Sequence, residues 1–337
     1  MAVTIKDIAK LAKIDTGAVS RTLRNHPEAQ RLRPETRERI LKIARELGYQ
    51  RNQLASATRT GIVNTIAVIG AFSGERFSFS VAKIIGGILQ EAGALGFSVK
   101  VYSEENLAEV FAGISGAQIR NVLSICVEQK KREECAKLAE EYQLNLVYLY
   151  ERPHNGFPSV NVDNFEAAEL AVRHLVRLGH RRIGLLCVPH NRYHYIDERH
   201  DGYLAAMKEA GLKVDPELVL CSDQPEEGIR RMLMLPAAKR PTALFAIADN
   251  LAMFAHRCAV QLGMRLPEEL SVVGTGNYEL TMCATVPLCT VDESLQLLGR
   301  SAVDILLKKA CSAELDSCGV YRIRPKLLLR ESAVAYP

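Results

Sequence analysis

A chain of 337 residues is too long for one compact α/β unit and has room for a small head plus two α/β subdomains. No apolar stretch approaches the length of a bilayer span, and Met1 leads straight into a charged helical segment, so neither a secretion signal nor a membrane anchor is expected and a cytoplasmic protein is. The net charge of +4 hides an asymmetry, because residues 1–60 hold 13 lysines and arginines against 6 acids, while the remainder holds 30 against 33. A basic head on a faintly acidic body suits a polyanion-binding module joined to a non-binding domain.

In chain order, Thr4 and Asp15 are good N-cap residues and mark two helix starts separated by a short helix and a tight turn. Ile5, Ile8, Ala9 and Ala12 recur at helical spacing, and Ile14, Val19 and Leu23 carry the apolar face into the second helix. Small Ala9 lets the two helices cross closely. A third helix starts at Pro34, runs through Ile40, Ile43, Ala44 and Leu47, and stops at Gly48. Three short helices around one small core are the plan of a helix-turn-helix.

Farther on, 66–70, 122–126, 146–150, 183–187, 243–247 and 270–274 are short apolar runs separated by helical stretches. They read as parallel strands with crossover helices, covered on both faces. Nine cysteines, at 126, 135, 187, 221, 258, 283, 289, 311 and 318, show no CxxC pair and sit mostly in apolar runs, so reduced, buried thiols are expected.

The chain resembles the lactose repressor (LacI) family of bacterial transcriptional regulators along its whole length. In the head the resemblance rests on Thr4-Ile-Lys-Asp-Ile-Ala9, Val19-Ser-Arg21, Glu35-Thr-Arg-Glu-Arg-Ile40 and Leu47-Gly-Tyr49 leading to Asn52. In the body it rests on Val162-Asp-Asn164, His174-Leu175, Leu178-Gly-His-Arg-Arg-Ile183, Glu198-Arg199, Gly202-Tyr203, Ser271-Val-Val-Gly274, Gly299-Arg300 and Leu329-Arg-Glu-Ser332. It implies an all-α helix-turn-helix head (1–50), a hinge helix or linker (51–61), and a periplasmic-binding-protein-like α/β core of two doubly wound parallel-sheet subdomains. The N-subdomain would be 62–161 with 291–320, and the C-subdomain 162–290 with 321–337, with crossings near Asn161, Thr290 and Tyr321. Also implied are a near-palindromic double-stranded DNA operator, a homodimer contact, and a small-molecule effector, a sugar or a carboxylate, in the cleft between subdomains. No heptads trail the last strand, so no tetramerising coil is expected.

By the resemblance, the second helix lies in the major groove, with Thr16 and Gly17 where base-reading side chains usually stand. Glycine has nothing to read with. Direct readout therefore falls to Arg21, which can offer a fork to guanine, with Thr16, Ser20 and Thr4 as further base or phosphate contacts. The alternative for Arg21 is a phosphate contact or an ion pair with Asp7. The stretch from Arg24 to Pro34 is longer than the family pattern, and Arg24 replaces a customary Asn. Its Arg31 and Arg33 either grip the DNA backbone or are solvated surface. In the hinge, Asn52, Leu54, Ala55 and Thr58 match the segment that enters the minor groove, but Thr58 replaces the usual leucine wedge and Leu54, one turn earlier, could substitute.

In the cleft, Arg199 matches an arginine that reaches ligand oxygens, and Glu151 stands where an aspartate is frequent. The alternative for Arg199 is an ion pair with Glu198 or Asp201. Asp249 is retained, but Ala248 replaces an asparagine and Gly276 a sugar-anchoring carboxylate. Phe77, Tyr193 and Asn277 remain as further effector contacts. His190, His194 and His200 around Cys187 fit no zinc pattern, and 68–74 lacks the third glycine of a dinucleotide-binding turn, so neither metal nor cofactor is expected. Three functions compete: a ligand-responsive repressor, a constitutive DNA-binding regulator, and a sugar-processing enzyme or solute-binding protein. The basic head speaks against the third.

Overall fold

A computed structural model describes residues 3–23, 26–49, 63–72, 79–189 and 193–337. Two compact units, 1–63 and 64–337, make up the chain.

The first unit is the expected trihelical head. Helix α1 spans Ile5–Ala12, α2 Thr16–Leu23 and α3 Pro34–Glu46, with a 3-10 turn at Pro27–Arg31 before α3. Thr4 opens α1 through a capping box in which it and Asp7 satisfy each other's backbone amides. Asp15 accepts from the Ala18 amide at 2.7 Å and opens α2. Behind α3, Gly48 takes a φ of 62°, which lets its amide reach Arg45 O at 3.0 Å and that of Tyr49 reach Ala44 O at 2.9 Å. This double bond satisfies carbonyls the helix end leaves free. Ile8, Ala9, Ala12, Val19, Ile40 and Ala44 form the core. The residues inserted before α3 are not a loose loop, because Ala29 of the 3-10 turn is buried.

The second unit holds two mostly parallel sheets. Strands β1 (Thr65–Gly70), β2 (Ser98–Ser103), β3 (Asn121–Ser124), β4 (Asn145–Leu149), β5 (Ser159–Val162), β11 (Glu314–Leu315) and β12 (Val320–Ile323) form one, in the order β11-β12-β5-β4-β3-β1-β2. The other takes β6 (Ile183–Cys187), β7 (Val219–Cys221), β8 (Ala243–Ala246), β9 (Ser271–Thr275), β10 (Cys289–Asp292) and β13 (Lys326–Leu328), in the order β13-β10-β9-β8-β6-β7. Among the described strands only β11 on β12 and β10 on β13 pair antiparallel. The helices are α4 (Phe79–Ala94), α5 (Leu107–Gly116), α6 (Gln129–Glu141), α7 (Asn164–Arg177), α8 (His194–Glu209), α9 (Pro225–Leu233), α10 (Asp249–Gln261) and α11 (Leu295–Leu306).

Both sheets repeat one doubly wound order, in which the first strand of each lies between its second and third. In β1, Ile66 and Val68 enter the core under α4 and α11, while Ala67 and Ile69 enter the core under α5 and α6. Burial on both faces is why these strands read as unbroken apolar runs. The chain passes from the first sheet to the second after Val162, back after Asp292, and over again between Ile323 and Lys326. Thr290 therefore lies inside a strand of the second sheet and Tyr321 inside one of the first.

Several motif residues prove to be packing devices. A Cβ on Gly299 of α11 would lie 2.2 Å from Ile84 O of α4, and one on Gly202 of α8 would lie 2.3 Å from Phe165 O of α7. Only glycine permits these crossings. Ser332 donates to Val272 O at 2.6 Å and accepts from the Cys289 amide at 2.7 Å, which ties the C-terminal segment to the second sheet.

The expectation of reduced cysteines needs one correction. Cys187 and Cys221, opposite each other on β6 and β7 with Cα atoms 4.5 Å apart, are joined as a disulfide. The spacing of 34 residues gave no sign of it, because strand register rather than sequence proximity pairs the two.

Candidate DNA-reading face and ligand cavity

On α2, Thr16 is exposed and Arg21 half-buried, whereas Ser20 is only 6% exposed and belongs to the head's interior. A Cβ on Gly17 would meet Asp15 Oδ1 at 2.9 Å and Arg21 Nη1 at 3.3 Å. The missing side chain at 17 thus makes room for the Arg21 guanidinium, which folds back along the helix. Asp7 is turned to Thr4 instead, accepting from its amide at 2.8 Å and its hydroxyl at 2.7 Å. Those bonds also hold the hydroxyl of Thr4 in the cap. Arg31 and Arg33 are exposed beside the 3-10 turn, which Arg37 braces by donating to Gln30. Arg24, Asn52, Leu54, Ala55 and Thr58 lie outside the described residues.

In the body, the polar residues expected at a ligand gather at the carboxyl ends of strands, where doubly wound sheets bind ligands. A cavity of about 460 Å³ is lined by Arg132, Glu151, Arg152, His154, Tyr193 and His194, among others. Glu151 is 1% exposed; one carboxylate oxygen lies 3.4 Å from Arg132 Nη1, and the other has no hydrogen-bond partner among the described residues. Burial raises its pKa, against the pull of Arg132. Tyr193 stacks on Tyr195 with ring centroids 5.6 Å apart. Of the expected contacts, Glu151 and Tyr193 meet at this cavity.

The others do not. Arg199 is 2% exposed and already satisfied: Nε and Nη2 donate to Asn164 Oδ1 at 3.0 and 2.7 Å, and Nη1 to Ile247 O at 2.6 Å. Nη2 also reaches Tyr150 Oη at 3.1 Å and pairs with Glu293, which accepts from the Tyr150 hydroxyl as well. Neither Glu198 nor Asp201 is its partner. Glu198 binds Arg322 instead, at 2.9 and 3.3 Å. Burial alone would raise the Glu198 pKa, but hydrogen bonds from His194 and Arg322 outweigh it and hold the carboxyl below its ordinary range. Asp249 is fully buried and accepts from Thr290 Oγ1 at 2.6 Å and the Tyr278 amide at 2.8 Å. Burial pushes its pKa up to about 6.

Asn277 is held by Arg330, which donates to its Oδ1 at 2.6 Å, and its carbonyl accepts from Lys83 Nζ of α4 at 2.6 Å. Next to it, a Cβ on Gly276 would fall 2.7 Å from the Tyr278 ring, so an aromatic covers the place of the missing carboxylate. Phe77 lies outside the described residues. Glu293 escaped the sequence reading because Thr290-Val-Asp-Glu-Ser294 looks like an ordinary polar turn; a buried arginine in need of a counter-charge was the only signal. Among the described residues no cluster of three or more potential ligands could hold a metal ion, and no helix is long and apolar enough to cross a membrane.

Residues 4–52 match the profile of bacterial regulatory proteins of the lacI family, and residues 172–333 that of a periplasmic binding protein-like domain. The chain thus carries a DNA-binding domain of the LacI family and, behind it in sequence, a periplasmic-binding-protein-like domain. With that pair of domains it is a DNA-binding transcriptional regulator. The repressor CytR of Escherichia coli (strain K12) is 29% identical over 354 residues, covering 100% of this chain and 98% of that one. The repressor PurR of Haemophilus influenzae (strain PittEE) is 26% identical over 337 residues, 98% of each chain. Among solved structures, the Lac repressor dimer bound to operator and the anti-inducer ONPF has a TM-score of 0.71 at 22% identity, over 99% of this chain and 100% of that one. The regulator CelR in complex with cellobiose has a TM-score of 0.66 at 24% identity, over 98% of this chain and 100% of that one.

Proposed function

We propose that this LacI-family chain is a cytoplasmic, non-enzymatic repressor that binds a near-palindromic operator as a homodimer and answers to a small molecule in the body. The observation that carries this reading is the union of a helix-turn-helix presenting Thr16, Arg21, Arg31 and Arg33 with a polar cavity of about 460 Å³ at the carboxyl ends of the strands. Relatives solved as a dimer on operator and with cellobiose support the dimer and a sugar-sized effector. Within the body, the N-subdomain is the half built on the first sheet and the C-subdomain the half built on the second; Glu151 and Tyr193 are the effector contacts. Asn52, Leu54, Ala55 and Thr58 serve the hinge of this scheme. Coupling follows from linkage: the effector changes operator affinity by as much as its own affinity differs between the two states, ~1–3 kcal/mol in typical cases.

One specific observation favours a second reading. Arg199, Asp249 and Asn277 all hold intrachain partners, as they would in a constitutive regulator with no effector. Operator selection with the full chain, repeated across a metabolite panel and paired with thermal shift, separates the two. A metabolite that raises stability and changes operator affinity establishes the first reading. A panel that changes neither, on a protein that still selects an operator, establishes the second.

A further inference from the structure

We propose that Nε2 of His194 is a proton-operated bolt between the two halves of the body: bare, it ties α8 to Arg152 at the cavity; protonated, it lets Arg152 go and holds Glu198 alone. The inference rests on the reading of the body as the unit that governs operator affinity, and it gives that unit a second input, the proton.

His194 is the first residue of α8, which follows β6 of the second sheet, whereas Arg152 belongs to the segment between β4 and β5 of the first. The imidazole is 13% exposed, so protein groups rather than water supply its partners. Nε2 lies 2.9 Å from Arg152 Nε and 3.0 Å from Glu198 Oε1. Those two neighbours make opposite demands on one atom. A guanidinium only donates, so Arg152 needs a lone pair on Nε2; a carboxylate only accepts, so Glu198 needs a hydrogen there. A ring nitrogen carries one or the other, never both.

Protonation decides between them. An imidazolium has a hydrogen on each nitrogen, cannot accept from Arg152, and repels the guanidinium while attracting the carboxylate. Glu198 is fixed in place for this: Oε1 also accepts from Arg322 Nη2 at 2.9 Å, and Oε2 accepts from Asn164 Nδ2 at 3.2 Å. Because Arg322 lies in β12 of the first sheet, that pair joins the halves at the crossing strands in either state. Arg152 is exposed and is solvated once the ring refuses it. The added charge is favoured by Glu198, and by Glu151 and Asp197 at the cavity; Arg132, Arg152 and Arg322 oppose it, and His154 lines the same cavity. Gain of the proton therefore unfastens the two halves at the cavity and leaves them joined at the crossing.

The test is the cost of Arg152→Ala in the full chain, read as the shift of the urea midpoint of the body at about pH 8 and about pH 5.5, in wild-type and His194→Ala backgrounds. At the higher pH the substitution should lower the midpoint in the wild-type background and leave it unmoved in His194→Ala. At the lower pH it should move neither. If His194→Ala does not fold, His194→Gln replaces it: its amide offers a donor and an acceptor together, so Arg152→Ala should cost the same at both pH values. An equal cost at both pH values in the wild-type background, or a cost that persists in His194→Ala, would overturn the proposal. Wild-type operator affinity should change about fivefold between the two pH values, and that of His194→Gln should not follow. An operator affinity indifferent to pH, on a protein whose urea midpoints behave as expected, leaves the bolt standing and removes the reading that the body governs the operator.

Discussion

The head and the cleft both carry arginines on a helix, yet they use them in opposite ways. Arg31 and Arg33 are exposed and Arg21 is half-buried on short local elements, and the proposed function gives all three to an external polyanion. Arg199 stands on α8 between two sheets, and its donors are consumed by groups from four other segments of the chain. A surface arginine costs little to hold ready, because water solvates it until DNA arrives. A buried one has no such reservoir and must be paired by the protein itself. The same residue type is therefore a structural centre in the body and, in the proposed function, a reader in the head.

The largest effect should come from breaking that centre. Arg199→Ala leaves Glu293 buried without its partner, and urea denaturation should show a loss of about 3–5 kcal/mol in body stability. A loss below about 1 kcal/mol would mean water already screens the pair. In the head the corresponding change should spare stability and strike recognition. Arg21→Ala should weaken a selected operator by ~1–3 kcal/mol and a scrambled one far less; equal losses on both would reassign Arg21 to a phosphate.

The third test sharpens the comparison through pH. Burial raises Asp249 to about 6, so its ionised form is disfavoured in the fold, and stability from this group is gained as pH falls through 6 toward the ordinary 3.8. Going from pH 7.5 to 5 it should contribute about 1 kcal/mol, and the contribution should vanish in Asp249→Asn. Equal pH slopes for the two proteins would show that Asp249 stays ionised without penalty. Glu198 acts in the opposite sense, since its lowered pKa supports stability that is lost only as pH falls below the ordinary carboxylate range. Smallest is the cap of α1: Thr4→Ala should cost the head about 1 kcal/mol, read by hydrogen exchange in α1, with the body unchanged.

Much of the fold was legible because its signals are local or doubly buried. Caps at Thr4 and Asp15, the stop at Gly48 and the apolar runs of β1, β3, β4, β6, β8 and β9 stand where the residues pointed. Edge strands were not legible. In β2, Ser98-Val-Lys-Val-Tyr-Ser103 lines the rim of its sheet with Val101 half exposed, so no continuous apolar run announces it. Of the cavity's lining, Glu151 and Tyr193 were singled out beforehand through the family resemblance, whereas nothing pointed to the pairing of Glu293 or Arg330, since each acts on a partner 53 or more positions away.

By itself the sequence determined the class of this protein: a basic helix-turn-helix in front of a doubly wound body, with its polar residues placed after strands. Helix caps and periodicity act over a few residues, and charge simply adds along the chain, so both can be read in one dimension. Only the tertiary structure decided which polar residues remain available to a ligand. Strand register joined Cys187 to Cys221, and the return crossing brought Glu293 to Arg199. The physical reason is desolvation: once a charge is buried its partner must be supplied by whatever the fold brings near, and sequence order does not specify that neighbour.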